Sequence, residues 1–362
     1  MNTVSPSWTS RGTSGAEALR RAGCAVLIAL CAGLAAFAPA TLGATDAAAI
    51  FLLARSVVKV EAVDAGGRYF LGTGIIVRRD RVVTACHVTR PARRITVLYG
   101  GLRHPVARQR ADAVHDVCVL DVPALDAVPV PVGRSGSLSV GDAVIAVGFT
   151  GGGGLTPATG VVEGLFCHDG AKVILTDAGF SSGASGGGLF DADGRLVGLL
   201  MFRMRAPGAQ FFAVPSEWFA AGTASDDGLE TVRPQVGPGP FWRESGDALP
   251  YFMQAHSMES EQRWDDLTEL ARRWHASRPG DADALYLLGR LDSRRRDALA
   301  AIDHYRAAVV VDRRHGPAWY RLGMTYLETG RMAEARAVVS PLLGASQVLG
   351  RRLIDAFPEL PE

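Results

Sequence analysis

The residues best suited to chemistry lie in positions 179–192, GFSSGASGGGLFDA, where five glycines surround Ser185. A serine hydroxyl is a poor nucleophile. It needs a base to take its proton and donors to hold the oxyanion that develops. Glycines on both sides permit a tight turn with unusual backbone angles. Such a turn can aim the N–H groups of Gly183 and Ser185 at one point, which is the requirement for an oxyanion hole. Glycine and serine also make linkers, so the flanks decide. KVILTDA leads in with strand character, and a D-x-D-G turn leaves into RLVGLLMF. The loop therefore joins two strands.

A nucleophilic serine needs a histidine. His87 ends RVVTACHV, a run rich in β-branched residues, whereas His104, His115 and His168 lie in polar, turn-like contexts. The histidine in turn needs a carboxylate to fix its tautomer and stabilise the imidazolium. Asp116 opens the apolar run DVCVLDV, and a carboxylate entering such a strand is costly without a partner. Asp112 and Asp121 lie nearby and stay open as alternatives. The order His87, Asp116, Ser185 is the chymotrypsin-type order, not that of subtilisin or the α/β-hydrolases.

The elements that must hold these residues change character along the chain. Residues 46–222 read as short Val/Ile-rich strands split by turn residues, an all-β sandwich or barrel. Residues 223–247 cluster Pro, Gly and charge and read as a linker, although Phe241 and Trp242 have the character of docking residues. From 248 to 349 the period becomes helical and repeats. Leu285 aligns with Trp319, Leu288 with Leu322, Gly289 with Gly323 and Ala301 with Ala335, each 34 residues apart. That period, with W-x2-L-G-x2-Y at Trp319 to Tyr326, resembles a tetratricopeptide repeat, and three copies are expected, the first degenerate. The small residues let paired helices approach closely. Residues 350–362 read as a C-terminal tail.

At the N-terminus, Arg20 and Arg21 precede an apolar run over residues 22–38 and then small residues. Residues 1–44 read as an export signal, or as an anchor if left uncleaved. A formal net charge of +1 among 362 residues gives no basic footprint for nucleic acid. GGGG at 151–154 lacks the Lys-Ser/Thr of a phosphate loop and reads as a surface turn. Beyond the leader stand Cys86, Cys118 and Cys167. An odd count in a chain long enough to bury its own core argues against a disulfide framework.

Six blocks in order now make a resemblance plain: GTGIIV, VVTACHV, DVCVL, VGDAVIAVGF with ATGVVEGL, TDAGFSSGASGGGLFDADGRLVGL, and FAVP. Over about 160 residues the chain resembles a trypsin-like serine protease of the HtrA (Deg) type. The resemblance implies two six-stranded β-barrels with the cleft between them, so that the whole is multidomain: a double barrel followed by an all-α helical repeat region where a PDZ domain often stands. It implies a His87–Asp116–Ser185 triad, an oxyanion hole at Gly183 and Ser185, and no metal or cofactor. Gly179 stands where an aspartate would demand Arg or Lys. The apolar residues Phe180, Leu199, Leu200, Met201 and Phe212 are the expected specificity pocket, implying cleavage after small or medium apolar residues. Two departures stand out. Gly188 replaces the usual proline, which is expected to loosen the loop, and Ala184 replaces the usual Asn or Asp. Cys86 and Cys118 take small-residue positions beside the triad, and whether they pair is left open by the sequence.

The expected function is an exported, periplasmic or secreted endopeptidase acting on unfolded polypeptides, with a protein partner on the repeats and contact with membrane only through an uncleaved leader. The alternative is a secreted binding protein in which the repeats recruit a partner and the protease fold is a regulated or inactive platform. Loss of Ser185-dependent labelling by a fluorophosphonate would separate the two.

Overall fold

Runs of β-branched residues separated by tight turns form hairpins, because Val and Ile pack well on a pleated surface. The structure, a computed structural model, describes residues 44–151, 153–206 and 208–357. The expected export signal lies almost wholly outside these residues. Among them, no helix is long and apolar enough to cross a membrane.

A helix α1 (Ala44–Ala54) leads into the first lobe, built from β1 (Val57–Val63), β2 (Tyr69–Arg78), β3 (Arg81–Ala85), one helical turn α2 (Cys86–Thr89), β4 (Arg94–Tyr99), β5 (Leu102–Pro105), β6 (Arg108–Asp112) and β7 (Val117–Asp121). The second lobe holds β8 (Ala143–Phe149), β9 (Leu155–His168), β10 (Ala171–Thr176), β11 (Gly188–Asp191), β12 (Leu196–Ala206) and β13 (Gly208–Pro215), followed by a short helix α3 (Glu217–Ala220). These six strands close into a barrel in the order β10-β13-β12-β11-β8-β9, as expected.

With β14 (Glu230–Thr231) added at one edge, the first lobe is an eight-stranded sheet in the order β14-β6-β7-β3-β2-β1-β4-β5. β5 and β6 are consecutive stretches of one bent strand: at their junction the Val106 N–H bonds the Ile95 carbonyl of β4 and the Ala107 N–H bonds the Asp121 carbonyl of β7, so this strand carries the sheet from β4 across to β7. β14 pairs with Gln109 and Arg108 of β6. The stretch 223–247 is thus fixed to the first lobe, and Phe241 is buried in the main core.

Beyond it lie α4 (Tyr251–Ser260), α5 (Trp264–Ser277), α6 (Ala282–Arg294), α7 (Ala298–Val311), α8 (Gly316–Glu328), α9 (Met332–Ala345) and α10 (Gln347–Ala356). Helices α5, α7 and α9 begin at 264, 298 and 332, and α6 and α8 at 282 and 316, so the 34-residue period is carried by the helices themselves. A Cβ on Gly289 would lie 2.6 Å from the Tyr305 ring, and one on Gly323 2.8 Å from Leu353. Close approach is what these glycines permit. Residues 350–356, expected in a tail, instead belong to α10, whose Leu353 is fully buried. The Ser346 side chain caps this helix by accepting the Leu349 N–H at 3.2 Å, and its apolar face covers the otherwise open end of the array.

Helices α4, α5 and α6 share a hydrophobic core with part of the second barrel, while the later helices pack around a core of their own. Phe166 of β9 stacks on Phe252 of α4, with centroids 4.9 Å apart. Lys172 pairs with Asp312 at 3.4 Å, and the Ser346 hydroxyl donates to the Val140 carbonyl at 2.8 Å.

Arg81, only 2% exposed, is the most demanding group in the first lobe. It pairs with Asp121, Asp226 and, at 2.7 Å, Asp80, while Arg108 reaches Asp121 at 2.7 Å. Removing one partner of a buried pair strands the other charge. Asp121→Ala is therefore expected to destabilise the fold by about 3–5 kcal/mol, and Asp226→Ala, at an exposed carboxylate, by clearly less. Urea unfolding checks both; equal losses would contradict this ranking.

Candidate active site

All of β3 is buried, so the strand is fixed along its length and its end is fixed with it. Ala85 is still extended, and the chain then turns once through α2, which carries His87. In the neighbouring strand Val117 pairs with Ala85. That register brings Asp116, the residue just before Val117, beside Cys86 and His87. Asp116 makes three contacts there. Its carbonyl accepts the Cys86 N–H at 2.9 Å, its Oδ1 accepts the His87 N–H at 2.7 Å, and its Oδ2 lies 2.6 Å from His87 Nδ1. The backbone of Asp116 is left-handed, φ 62°, a conformation aspartate tolerates better than most residues. Its side chain is 1% exposed and that of His87 20%.

Cys86 and Cys118 form a disulfide, with Cα atoms 4.9 Å apart. The bond ties the His87 turn to β7 directly. The third thiol, Cys167, is free.

The other carboxylates and histidines left open by sequence are engaged elsewhere. Asp121 serves Arg81 and Arg108. Asp112 Oδ2 lies 2.6 Å from His115 Nδ1. His104 sits on β5, at the far edge of the sheet, and His168 packs on Phe241 at 4.9 Å.

Ser185 lies half-buried in the loop between β10 and β11. Two glycines make the loop's path feasible. Gly183 has φ 99° and Gly186 φ 82°, and a Cβ on Gly186 would collide with Thr73 O and Thr84 Oγ1. The loop docks onto the strands that carry the His87 turn. Thr73 of β2 donates its N–H to the Ser185 carbonyl at 2.9 Å and its hydroxyl to the Gly183 carbonyl at 2.8 Å, and accepts the Phe149 N–H at 2.9 Å. From the other side Gly186 N–H donates to Leu200 O and Leu200 N–H to Gly187 O, both at 2.8 Å.

The Ser182 carbonyl accepts the Gly151 N–H at 2.9 Å. In a planar trans peptide the carbonyl and the following N–H point in opposite directions. The Gly183 N–H therefore faces away from Gly151. Among the described residues, neither it nor the Ser185 N–H has a hydrogen-bond partner, and the Ser185 hydroxyl has none either. Two free donors on either side of Ala184 can receive a negative oxygen. The absence of a Ser185–His87 hydrogen bond is common in unliganded sites, where such bonds tighten on substrate binding.

Gly188 lies in a strand rather than in the loop. It begins β11, and a Cβ there would collide with the Phe190 ring, which fills the space a larger residue would need. Of the five expected pocket residues, Leu199, Leu200 and Phe212 are fully buried, Met201 nearly so, and only Phe180 is half-buried. Phe180 packs on Phe211, centroids 5.0 Å apart, and Phe211 also lies over Gly179, 3.4 Å from where a Cβ would be. Phe211 was not singled out from sequence; its place opposite Gly179 follows from the pairing of Phe211 with Thr176.

A paired histidine and aspartate on one lobe, facing a glycine-rich serine loop on the other, define a serine peptidase fold. Residues 72–199 match the family described as "Trypsin-like peptidase domain". The chain is 30% identical over 223 residues to the magnetosome formation protease MamE of Magnetospirillum gryphiswaldense, covering 49% of this chain and 28% of that one. It is 30% identical over 162 residues to a probable periplasmic serine endoprotease, DegP-like, of Buchnera aphidicola, covering 41% and 35%. Among solved structures, the Rv3671c protease of M. tuberculosis in its active form has a TM-score of 0.46 at 24% identity, over 53% of this chain and 88% of that one. The chain spans about a third of the length of the curated relatives it matches.

His115 joins the two lobes. Its Nδ1 meets Asp112 at the end of β6, its Nε2 lies 3.2 Å from Asp169 in the β9–β10 turn, and its ring stacks on Trp218 at 4.1 Å. Its hydrogen bond to the Asp112 carboxylate holds its pKa above the ordinary 6.5, against the opposing effect of burial and with added help from the Asp112 and Asp169 charges. A raised folded-state pKa contributes stability that is full below about pH 6.5 and is lost as pH rises through the folded value. The melting-temperature gap between wild type and His115→Gln is expected to narrow as pH rises through that range. A gap independent of pH would contradict an ionic clamp.

Proposed function

We propose that the chain is an exported serine endopeptidase of the HtrA type that hydrolyses peptide bonds of unfolded or partner-presented polypeptides. The observation that carries this reading is the three-contact hold of Asp116 on Cys86 and His87 beside a serine loop with two free N–H groups. In this reading Ser185 attacks the scissile carbonyl, and His87 takes its proton and returns it to the leaving amine. Asp116 stays ionised and keeps the His87 proton on Nδ1, leaving Nε2 free to act as base. The Gly183 and Ser185 N–H groups stabilise the tetrahedral oxyanion, a contribution of about 3–4 kcal/mol in comparable sites.

Primary specificity falls to Phe180 and Phe211 around Gly179, with no charge to attract Arg or Lys. Substrates are then cleaved after small or medium apolar residues, which are exposed mainly in unfolded chains. Export rests on the basic and apolar pattern of residues 1–44 and on the periplasmic name of the DegP-like relative.

The helical region functions as a tetratricopeptide-like array that recruits a protein partner. Its 34-residue helix period supports this. So does the cleft of about 830 Å³ between the helices and the β9–β10 hairpin, lined by Phe166, Lys172, Phe252, Tyr286, Arg290 and Tyr320. Aromatic and charged groups lining one groove suit an extended peptide.

Ser185→Ala is expected to abolish hydrolysis of unfolded casein, and Asp116→Asn to lower kcat by about 10⁴-fold with the fold intact. Turnover assays with circular dichroism as a fold control check both. Undiminished hydrolysis by Ser185→Ala would sink the triad assignment.

A further inference from the structure

The segment after β14 is anchored, residue by residue, to the turn that carries His87. Gln109 Nε2 donates to the Arg233 carbonyl at 3.1 Å, and the Gln235 N–H to the Arg90 carbonyl at 2.8 Å. The Gln235 side chain donates to Thr89 Oγ1 at 3.3 Å and to Cys118 Sγ at 3.2 Å. The Arg90 guanidinium holds the Pro238 carbonyl at 2.8 Å and the Gly237 carbonyl. Phe241 N–H then donates to the Val114 carbonyl at 2.9 Å, on the loop that leads to Asp116.

This strap delivers one side chain to the site. The Trp242 ring meets the His87 imidazole edge-on, centroids 5.7 Å apart. On its other side it stacks on Phe202 of β12 at 5.2 Å, and Phe202 stacks on Phe212 at 4.9 Å. Trp242 therefore bridges the first lobe, at His87, and the second, at β12. Its indole N–H is sealed from water and has no acceptor. Buried donors without partners are rare and call for an explanation, of which a functional contact is one.

A polypeptide whose scissile carbonyl reaches Ser185 must run along the cleft beside β12, because β12 bonds directly to Gly186 and Gly187. Successive side chains of an extended chain point to opposite sides. If the residue carrying the scissile carbonyl points into the second lobe, toward Gly179 and Phe211, the residue before it points back toward His87. That is where Trp242 stands.

We propose that Trp242 is a specificity-determining residue, which admits only a small side chain, glycine, alanine or serine, at the substrate position preceding the one held in the primary pocket. This rests on the peptidase reading above and adds to it a second position of selection, supplied from outside both barrels. The preferred substrate is then a small residue followed by an apolar one.

The test uses the full chain and a pair of peptidyl phosphonates with the same apolar terminal residue, preceded by alanine or by leucine. Wild type is expected to be labelled about 10–100-fold faster by the alanine probe, the range that modest differences in side-chain bulk yield in a closed pocket. Trp242→Phe, which keeps an aromatic ring, is expected to keep most of that ratio. Trp242→Ala is expected to reduce it toward one with the preference for the terminal residue unchanged. Equal rates for the two probes on wild type would overturn the proposal without any variant. A uniform acceleration of both probes in Trp242→Ala would also overturn it, and would identify Trp242 as a plug. An unaltered ratio in a folded Trp242→Ala would reduce it to packing. Should wild type show no Ser185-dependent reaction with a small, unselective fluorophosphonate, the peptidase reading itself falls. Reaction with that reagent alongside equal phosphonate rates isolates the failure to Trp242.

Discussion

The arrangement depends on one buried carboxylate. Asp116 is almost wholly removed from water, which a charged oxygen tolerates only with strong partners. Its partners are the His87 N–H and the His87 ring, and its own carbonyl holds Cys86. The left-handed backbone at Asp116, the β3–β7 register and the disulfide two residues further on all fix the same few atoms. A histidine held this way has one tautomer and one orientation. The serine loop on the other lobe is fixed to the same strands through Thr73, whose N–H and hydroxyl grip Ser185 and Gly183. The two halves of the site are thus coupled by β2.

The proposed triad could be picked out from sequence because its residues leave local marks. A glycine-flanked serine, a histidine ending a β-branched strand and an aspartate entering an apolar one each break the surrounding pattern. The sequence favoured Asp116 but left Asp112 and Asp121 open. All three lie within one short stretch, and only the pairing of β3, β6 and β7 sends one to His115, one to His87 and one to Arg81. The Cys86–Cys118 bond was left open for the same reason, since it needs the register of β3 on β7. The burial of Leu199, Leu200 and Met201 could not be read from sequence, because such a run looks equally apolar whether it lines a cleft or fills a core.

The segment between the barrels and the helices carries a wider lesson. Its Pro, Gly and charge content is that of a flexible connector. Its backbone is nonetheless held by side chains that sequence alone cannot connect to it, Gln109 and Arg90 among them. It adds a strand to the first lobe, supplies Asp226 to the Arg81 network, and lays Trp242 against His87. Helices α4, α5 and α6 beyond it share a core with part of the second barrel through Phe252 and Phe166. Phe212 and Phe202 continue that aromatic packing to Trp242. In the proposed reading the repeats and the strap belong to the enzyme as much as the barrels do.

The central claim is that Ser185 is the nucleophile and that His87, held by Asp116, activates it. Mass mapping of the folded chain after exposure to a fluorophosphonate tests this most directly. A single adduct on Ser185 is expected, formed at a rate that collapses in His87→Ala. An adduct elsewhere, or one on Ser185 at an undiminished rate without His87, would contradict it.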